Sequence, residues 1–172
     1  ISAGKVCAWS TGNDGLDANG NLYIKGGTIY AIGSNSPEVA VDANTEGGKR
    51  LYLSGGTLVA LGGLESGSSL SQSCYSASQT RDSWYALYSG STLALVFKTP
   101  STVGSNGTMV ISTAGTPSLK RGVTTSGGTS LWEGIALEGA SVSGGSEVTL
   151  SSYSGGSGGP GGMGGPGGGP GW

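Results

Sequence analysis

An internal repeat constrains the fold of this chain more than any other feature of its sequence. Three segments share an apolar first residue, a small or glycine pair and four residues rich in Val, Ile, Leu and Ala: Ile1–Trp9, Ile24–Ile32 and Leu53–Leu61. They begin 23 and 29 residues apart, a period in the range of roughly 20 to 50 residues that is typical of solenoids. Each copy predicts a strand, a glycine corner and a second strand.

A second motif recurs between these copies. Gly15-Leu-Asp-Ala-Asn19 returns as Ala40-Val-Asp-Ala-Asn44, and Leu70 takes the corresponding place after the third copy. One coil would then carry about three short strands joined at glycine or Asx corners, which is the pattern of a parallel β-helix. We therefore predict an all-β chain that forms a parallel β-helix, a solenoid, with an irregular or antiparallel C-terminal cap.

Equivalent residues of stacked coils lie about 4.8 Å apart, so aligned apolar positions should form interior ladders. Two ladders are expected, one of Val6, Ile29 and Leu58 and one of Ala8, Ala31 and Ala60. The alternate positions, Trp9 among them, are apolar as well. That second face must be covered by another segment or remain exposed as an apolar patch.

The chain divides into one domain and a tail. Residues 1–153 are expected to hold the coils and the cap, because a chain of 172 residues can bury a sizeable single core. Residues 154–172 are a low-complexity Gly/Pro-rich tail. The tail is either a flexible linker or a docking segment, in which case Met163 and Trp172 are its expected anchors.

Charge and composition exclude several classes of function. Charged residues make up 10% of the chain and the net charge is −2, so no electrostatic footprint for nucleic acid or an anionic membrane is present. No apolar run is long enough for a transmembrane segment. The absence of histidine excludes Ser-His-Asp and Cys-His catalysis. A lyase would need a base such as Lys25, Lys49, Arg50 or Arg81, but none has a motif around it, and we expect a protein that is not an enzyme.

The two cysteines and the first residue bear on processing and location. Cys7 and Cys74 would form a disulfide in an oxidising compartment or serve as two separate small apolar residues. Ile1 opens in the middle of a repeat. We therefore expect a processed piece of a longer exported precursor.

The chain resembles a family of secreted bacterial carbohydrate-binding β-helix proteins of the pectate-lyase-like type. The resemblance covers most of the chain and is carried by Gly12-Asn-Asp-Gly-Leu-Asp-Ala-Asn-Gly20, the Gly-Gly-Thr strand pair that follows, Val41-Asp-Ala-Asn44, residues 84–112 and the Gly/Pro/Met-rich ending. It implies a right-handed parallel β-helix, of which this chain holds the final coils. It also implies binding of calcium and acidic polysaccharide, such as polygalacturonate, outside the cell or on the bacterial surface.

The acidic and amide residues of the repeated motif are candidate metal ligands. Calcium prefers six to eight oxygen ligands, and stacking would bring Asp17 and Asp42 together at neighbouring corners. The predicted calcium ligands are Asp14, Asp17, Asn19, Asp42 and Asn44. The alternative is that these side chains hydrogen-bond their own turns, which is the commonest use of such residues.

Two functions remain open from the sequence. The first is polysaccharide binding, in which the rings of Trp84, Tyr85 and Trp132 stack on sugars, although the tryptophans would serve equally as cap residues. The second is a self-assembling structural subunit of an extracellular filament or surface layer. In that case the uncapped edge at Ile1, the apolar face at Trp9 and the glycine-rich tail join neighbouring subunits.

Overall fold

The structure is a computed structural model that describes residues 1–34, 38–101 and 108–155. These residues form thirteen strands and one short 3-10 turn at Trp132–Gly134, and no α-helix occurs among them. The prediction of an all-β chain is confirmed. The anchors expected in the tail, Met163 and Trp172, lie outside the described residues.

The strands form two sheets. The first sheet contains, in spatial order, β1 (Lys5–Trp9), β2 (Leu22–Ile32), β3 (Leu51–Leu61), β8 (Thr108–Ser112), β5 (Cys74–Ser78) and β13 (Ser151–Tyr153), with β4 (Ser69–Leu70) paired to β3. The second sheet contains β10 (Thr129–Leu131), β11 (Ala136–Glu138), β7 (Thr92–Lys98), β6 (Trp84–Ser89), β9 (Pro117–Ser126) and β12 (Ser141–Glu147).

The three repeats pair in parallel as β1, β2 and β3, and their register is the one that the sequence predicts. Val6 lies opposite Ile29 and Ile29 opposite Leu58. Ala8, Ala31 and Ala60 are aligned in the same way. Both expected ladders are therefore confirmed.

The second motif also stacks in parallel, but with a different third member. Leu16 bridges to Val41 and Val41 bridges to Leu64. Leu70, which the sequence spacing placed in this row, instead pairs with Leu53 through β4. The prediction for Leu70 is therefore wrong, and Leu64 occupies the position.

The predicted parallel β-helix, or solenoid, is wrong for the chain as described. Beyond β3, parallel strand pairing among the described residues is limited to the two-residue strand β4, and the C-terminal half of β3 pairs with β8 in the antiparallel direction. Strands β5 and β13 continue the first sheet in antiparallel pairs, and every pairing in the second sheet is antiparallel. The physical reason is that no fourth apolar-glycine repeat follows Leu61, so a strand returning from a distant part of the chain takes the free edge of β3.

The parallel part of the first sheet is buried on both faces. On one face Tyr30, Val59 and Leu61 pack against Tyr85 and Phe97 of the second sheet in one core cluster. A second cluster holds the ladder residues of the other face together with the motif residues that bridge in parallel, Val41 and Leu64. The apolar alternate positions are thus covered by another sheet. Trp9, at the edge of the sheet, remains 45% exposed.

Both cysteines are free. Cys7 packs against the cluster between the two sheets, whereas Cys74 belongs to the cluster on the opposite face. The sheet itself separates them, which agrees with two independent small apolar residues.

Glycine corners stack directly on one another where β2 and β3 bend. Gly27 and Gly56 have φ angles of 85° and 94°, a region that side chains with a Cβ rarely adopt. A Cβ on Gly56 would lie 2.8 Å from the carbonyl oxygen of Gly27, and a Cβ on Gly27 would lie 2.8 Å from that of Gly4. The repeats can therefore pair this closely only with glycine at the corner.

Replacing Gly27 or Gly56 with alanine should lower the free energy of unfolding by at least about 1 kcal/mol, because the new Cβ is strained at positive φ and meets backbone atoms. Gly20→Ala is the matched control, since nothing lies within 4 Å of a Cβ at that position, and it should change stability by less than about 0.5 kcal/mol. Urea unfolding followed by circular dichroism measures the three values. Equal losses for all three variants would contradict the close stacking.

Candidate functional site

Three acidic residues stack on adjacent segments of the second motif. Asp17, Asp42 and Glu65 each follow a residue of the bridged row described above. The amide of Asp42 donates to the carbonyl of Leu16 at 2.7 Å, and the amide of Glu65 donates to that of Val41 at 2.9 Å. The expectation that Asp17 and Asp42 lie on neighbouring segments is therefore confirmed, and Glu65 extends the row.

Two more carboxyl groups adjoin this row. Oδ1 of Asp14 accepts a hydrogen bond from the backbone amide of Val39 at 2.6 Å. The side chain of Glu38 shares a hydrogen bond with that of Asp14. We call the five side chains the acidic patch: Asp14, Asp17, Glu38, Asp42 and Glu65.

Two members of the acidic patch, Asp42 and Glu38, have raised pKa values. Desolvation raises the pKa of Asp42 from 3.8 to about 7, with further contributions from a hydrogen bond and charge of Glu65 and from the charge of Asp14. A hydrogen bond from the backbone of Ala43 opposes this shift. The pKa of Glu38 is raised by partial desolvation and by the neighbouring Asp14 and Asp17. Asp42 and Glu38 therefore retain their protons to higher pH than isolated carboxyl groups do.

The predicted calcium ligands divide into two groups. Asp14, Asp17 and Asp42 belong to the acidic patch. Asn44 instead accepts a hydrogen bond from the amide of Gly47 at 2.6 Å, which caps its own turn, and Asn19 is exposed. In the described ranges, no group of three or more acidic or cysteine side chains is arranged to hold a metal ion. The oxygen donors have the chemistry that calcium prefers, and calcium binding remains a prediction.

Glu65, which was not among the predicted metal ligands, has a recognisable pattern in the sequence. Gly63-Leu-Glu65 repeats the pattern of Gly15-Leu-Asp17 and Ala40-Val-Asp42 with glutamate in the acidic position. Glu65 is harder to recognise as the third member of this row because glutamate stands in place of aspartate and because the spacing from the preceding repeat is shorter.

The three rings predicted to stack on sugars are not equally accessible. Tyr85 is fully buried, its ring is stacked 5.3 Å from that of Phe97, and its hydroxyl accepts a hydrogen bond from the amide of Thr80 at 2.8 Å. The prediction of Tyr85 as an exposed binding ring is therefore wrong, because the second sheet needs it in the core. Trp84 is half-buried on β6. Trp132 is half-buried against the core, 6.2 Å from the ring of Tyr30.

A stacked pair of tyrosines, of which Tyr23 is exposed and Tyr52 half-buried, lies on the parallel strands instead. The rings of Tyr23 and Tyr52 are stacked with centroids 4.9 Å apart and planes 10° apart. Nζ of Lys25 lies 5.4 Å from the centroid of Tyr23, which is 44% exposed. The signal in the sequence was a tyrosine at the same position of two repeats, in Leu22-Tyr-Ile and Leu51-Tyr-Leu.

Of the residues predicted to mediate assembly, Ile1 and Trp9 lie in the described part of the chain, at the β1 edge of the first sheet. The amino group of Ile1 donates to the carbonyl of Tyr23 at 2.7 Å. Within the described part of the chain, β1 pairs with β2 alone. Lys5 of β1 forms an ion pair with Glu138 of β11, which connects this edge to the second sheet. The exposed Trp9 ends the strand.

No protein-family model, curated protein or solved structure matches this chain. Among the residues that the structure describes, no helix is long and apolar enough to cross a membrane.

Between about pH 4 and pH 7 the stability of the protein in chelator should fall as the pH rises. The raised pKa of Asp42 means that the folded state binds more protons than the unfolded chain in this interval. The stabilisation by the neutral carboxyl is complete at the low end and is lost as the pH passes about 7. Asp42→Asn should flatten this slope, whereas Glu133→Gln, which removes an acid outside the patch, should keep it. Thermal melts across the interval measure the effect, and an unchanged slope in Asp42→Asn would contradict the assignment.

Proposed function

We propose that this protein is an extracellular, non-catalytic carbohydrate-binding protein that binds acidic polysaccharide, such as polygalacturonate, with the help of calcium. The observation that carries the proposal is the stacking of Asp17, Asp42 and Glu65 on adjacent segments. The resemblance in sequence described above supports the same function and a location outside the cell or on the bacterial surface.

Electrostatics explain why a cation is needed. The protein carries a net charge of −2, so it does not attract a polyanion by charge alone. The acidic patch would repel the carboxylates of the polymer more strongly still. A divalent cation reverses this local sign, because it binds protein carboxylates on one side and leaves positions for sugar carboxylates and water on the other.

The raised pKa of Asp42 supports the same mechanism. Desolvation, with the neighbouring carboxyl of Glu65, favours the protonated form of Asp42. Calcium would take the place of that proton, and its binding would release the proton to solvent. The predicted metal ligands Asp14, Asp17 and Asp42 would contribute together with Glu65.

Calcium should raise the melting temperature of the protein. A ligand present at one hundred times its Kd stabilises the folded state by about 2.7 kcal/mol, which corresponds to about 5 to 10 °C for a chain of this size. Retention on immobilised polygalacturonate should be stronger in calcium and should weaken in chelator. Asp42→Asn and Glu65→Gln should reduce both effects, whereas Glu133→Gln, a charge-matched control outside the patch, should not.

Identical melting curves in calcium and in chelator would exclude calcium as a ligand. Retention on the polymer that chelator leaves unchanged would exclude the bridging mechanism and leave direct binding of the polysaccharide.

The second candidate function is a self-assembling structural subunit, and the specific observation in its favour is the β1 edge. The backbone groups of an edge strand offer a template for pairing with another chain. Parallel, in-register pairing of β1 with β2 provides a geometry that a further strand of the same pattern would fit. A head-to-tail contact of this kind would build a filament of the sort expected for a surface layer.

Trp9→Lys should abolish such self-association, because a charged lysine on an edge strand opposes pairing with a neighbour. Thr124→Lys is the control, since Thr124 is exposed, pairs with Ser143 of β12 and lies away from the β1 edge. Light scattering and electron microscopy measure particle size for both variants. A wild-type protein that stays monomeric at high concentration would exclude the structural function.

A further inference from the structure

The stacked tyrosines on β2 and β3 form an exposed aromatic surface with polar groups at its margin. Tyr23 presents 44% of its surface to solvent while its ring lies parallel to that of Tyr52. Trp9 and Tyr23 are the large hydrophobic residues with this degree of exposure in the described ranges. Of the two, Tyr23 is the one held flat by a stacked neighbour.

The polar groups beside Tyr23 are fixed by the backbone. Oδ1 of Asn21 accepts a hydrogen bond from the amide of Arg50 at 2.9 Å, and its Nδ2 donates to the hydroxyl of Tyr23 at 3.4 Å. The amide of Leu22 donates to the carbonyl of Arg50 at 3.1 Å. One amide side chain, that of Asn21, and one ammonium group, that of Lys25, therefore lie beside the tyrosine hydroxyl and ring.

Pairing of β2 with β3 explains only part of this arrangement. Aromatic rings at opposed positions stabilise neighbouring strands by about 0.2 to 1 kcal/mol, and this requires ring contact alone. Strand pairing does not require the ammonium group of Lys25 near the ring or the anchored amide of Asn21. An exposed ring face beside an ammonium group and an anchored amide offers one ligand a stacking surface, a charge and hydrogen-bonding groups.

We propose that Tyr23, Lys25 and Asn21 form a binding site for a single uronic acid residue of an acidic polysaccharide. The apolar C–H face of the sugar stacks on the ring of Tyr23, and the carboxylate pairs with the ammonium group of Lys25. Asn21 and the hydroxyl of Tyr23 hydrogen-bond the sugar hydroxyls. The identity of the polymer rests on the proposed function, but this site uses residues outside the acidic patch and needs no calcium.

Lys25 can leave the Tyr23 ring and bind the ligand at a small cost in free energy. A cation–π contact at an exposed site contributes about 0.5 to 1 kcal/mol, so the ammonium group leaves the ring readily. Its flexible stem then lets it meet a carboxylate at the edge of the stacked sugar. This contact is a direct ion pair that salt screens, in contrast to the calcium bridge, which a chelator removes.

The test measures the affinity for trigalacturonate by calorimetry in calcium and in chelator. The variants are Tyr23→Ala, Tyr23→Phe and Lys25→Met, with Trp9→Ala as a control that removes the other exposed ring. Tyr23→Ala and Lys25→Met should each weaken binding about tenfold or more in both buffers, and Tyr23→Phe should lose less because the ring remains. Lys25→Met should make no difference to binding of the methyl ester of trigalacturonate, which lacks the charge.

The outcomes separate this site from the calcium-dependent one. Binding in chelator that Tyr23→Ala and Lys25→Met abolish supports the tyrosine site even if the acidic patch variants have no effect. Calcium-dependent binding that neither variant changes overturns the tyrosine site and leaves the proposed function standing. Absence of wild-type binding in both buffers overturns both. Lys25 is an exposed residue, so Lys25→Met decides the matter even where Tyr23→Ala fails to fold.

Discussion

Close parallel pairing of the three repeats is the constraint on which the rest of the structure depends. It requires glycine at the corners, because a Cβ on Gly27 or Gly56 would meet the backbone of the preceding repeat. In return it places identical backbone groups in register along β1, β2 and β3. Since successive residues of a strand point to opposite faces, the four consecutive apolar residues that close β2 and β3 require cover on both sides of the sheet.

Two different parts of the chain provide that cover. The bridged segments around Val41 and Leu64 close one face, and the antiparallel second sheet, with Tyr85 and Phe97 at its centre, closes the other. This explains why the later half of the chain abandons the repeat. A fourth parallel strand would extend the sheet but would leave the face that carries Tyr30 and Val59 open to water.

In-register stacking also decides what the surface presents. Equivalent residues of successive repeats become neighbours, so like side chains meet. Apolar residues and the rings of Tyr23 and Tyr52 gain from this contact. Carboxyl groups do not, and Asp42 beside Glu65 relieves the repulsion by holding a proton to about pH 7. A bridging cation would turn the repulsion between these stacked carboxyl groups into a favourable interaction. The same in-register stacking places Tyr23 beside Tyr52 and so forms the aromatic surface.

The sequence by itself determined the strands of the repeats, their parallel register and the adjacency of Asp17 and Asp42, because a repeated local pattern implies repeated contacts between neighbours. The sequence also contained Glu65 and the tyrosine pair in recognisable form. Only the tertiary structure decided that the stack ends after three repeats and that Tyr85 is buried. The pairing of β3 with β8 joins strands 47 residues apart, from Leu61 to Thr108, and no local pattern encodes which distant strand takes a free edge. That choice depends on which apolar surface each sheet must cover.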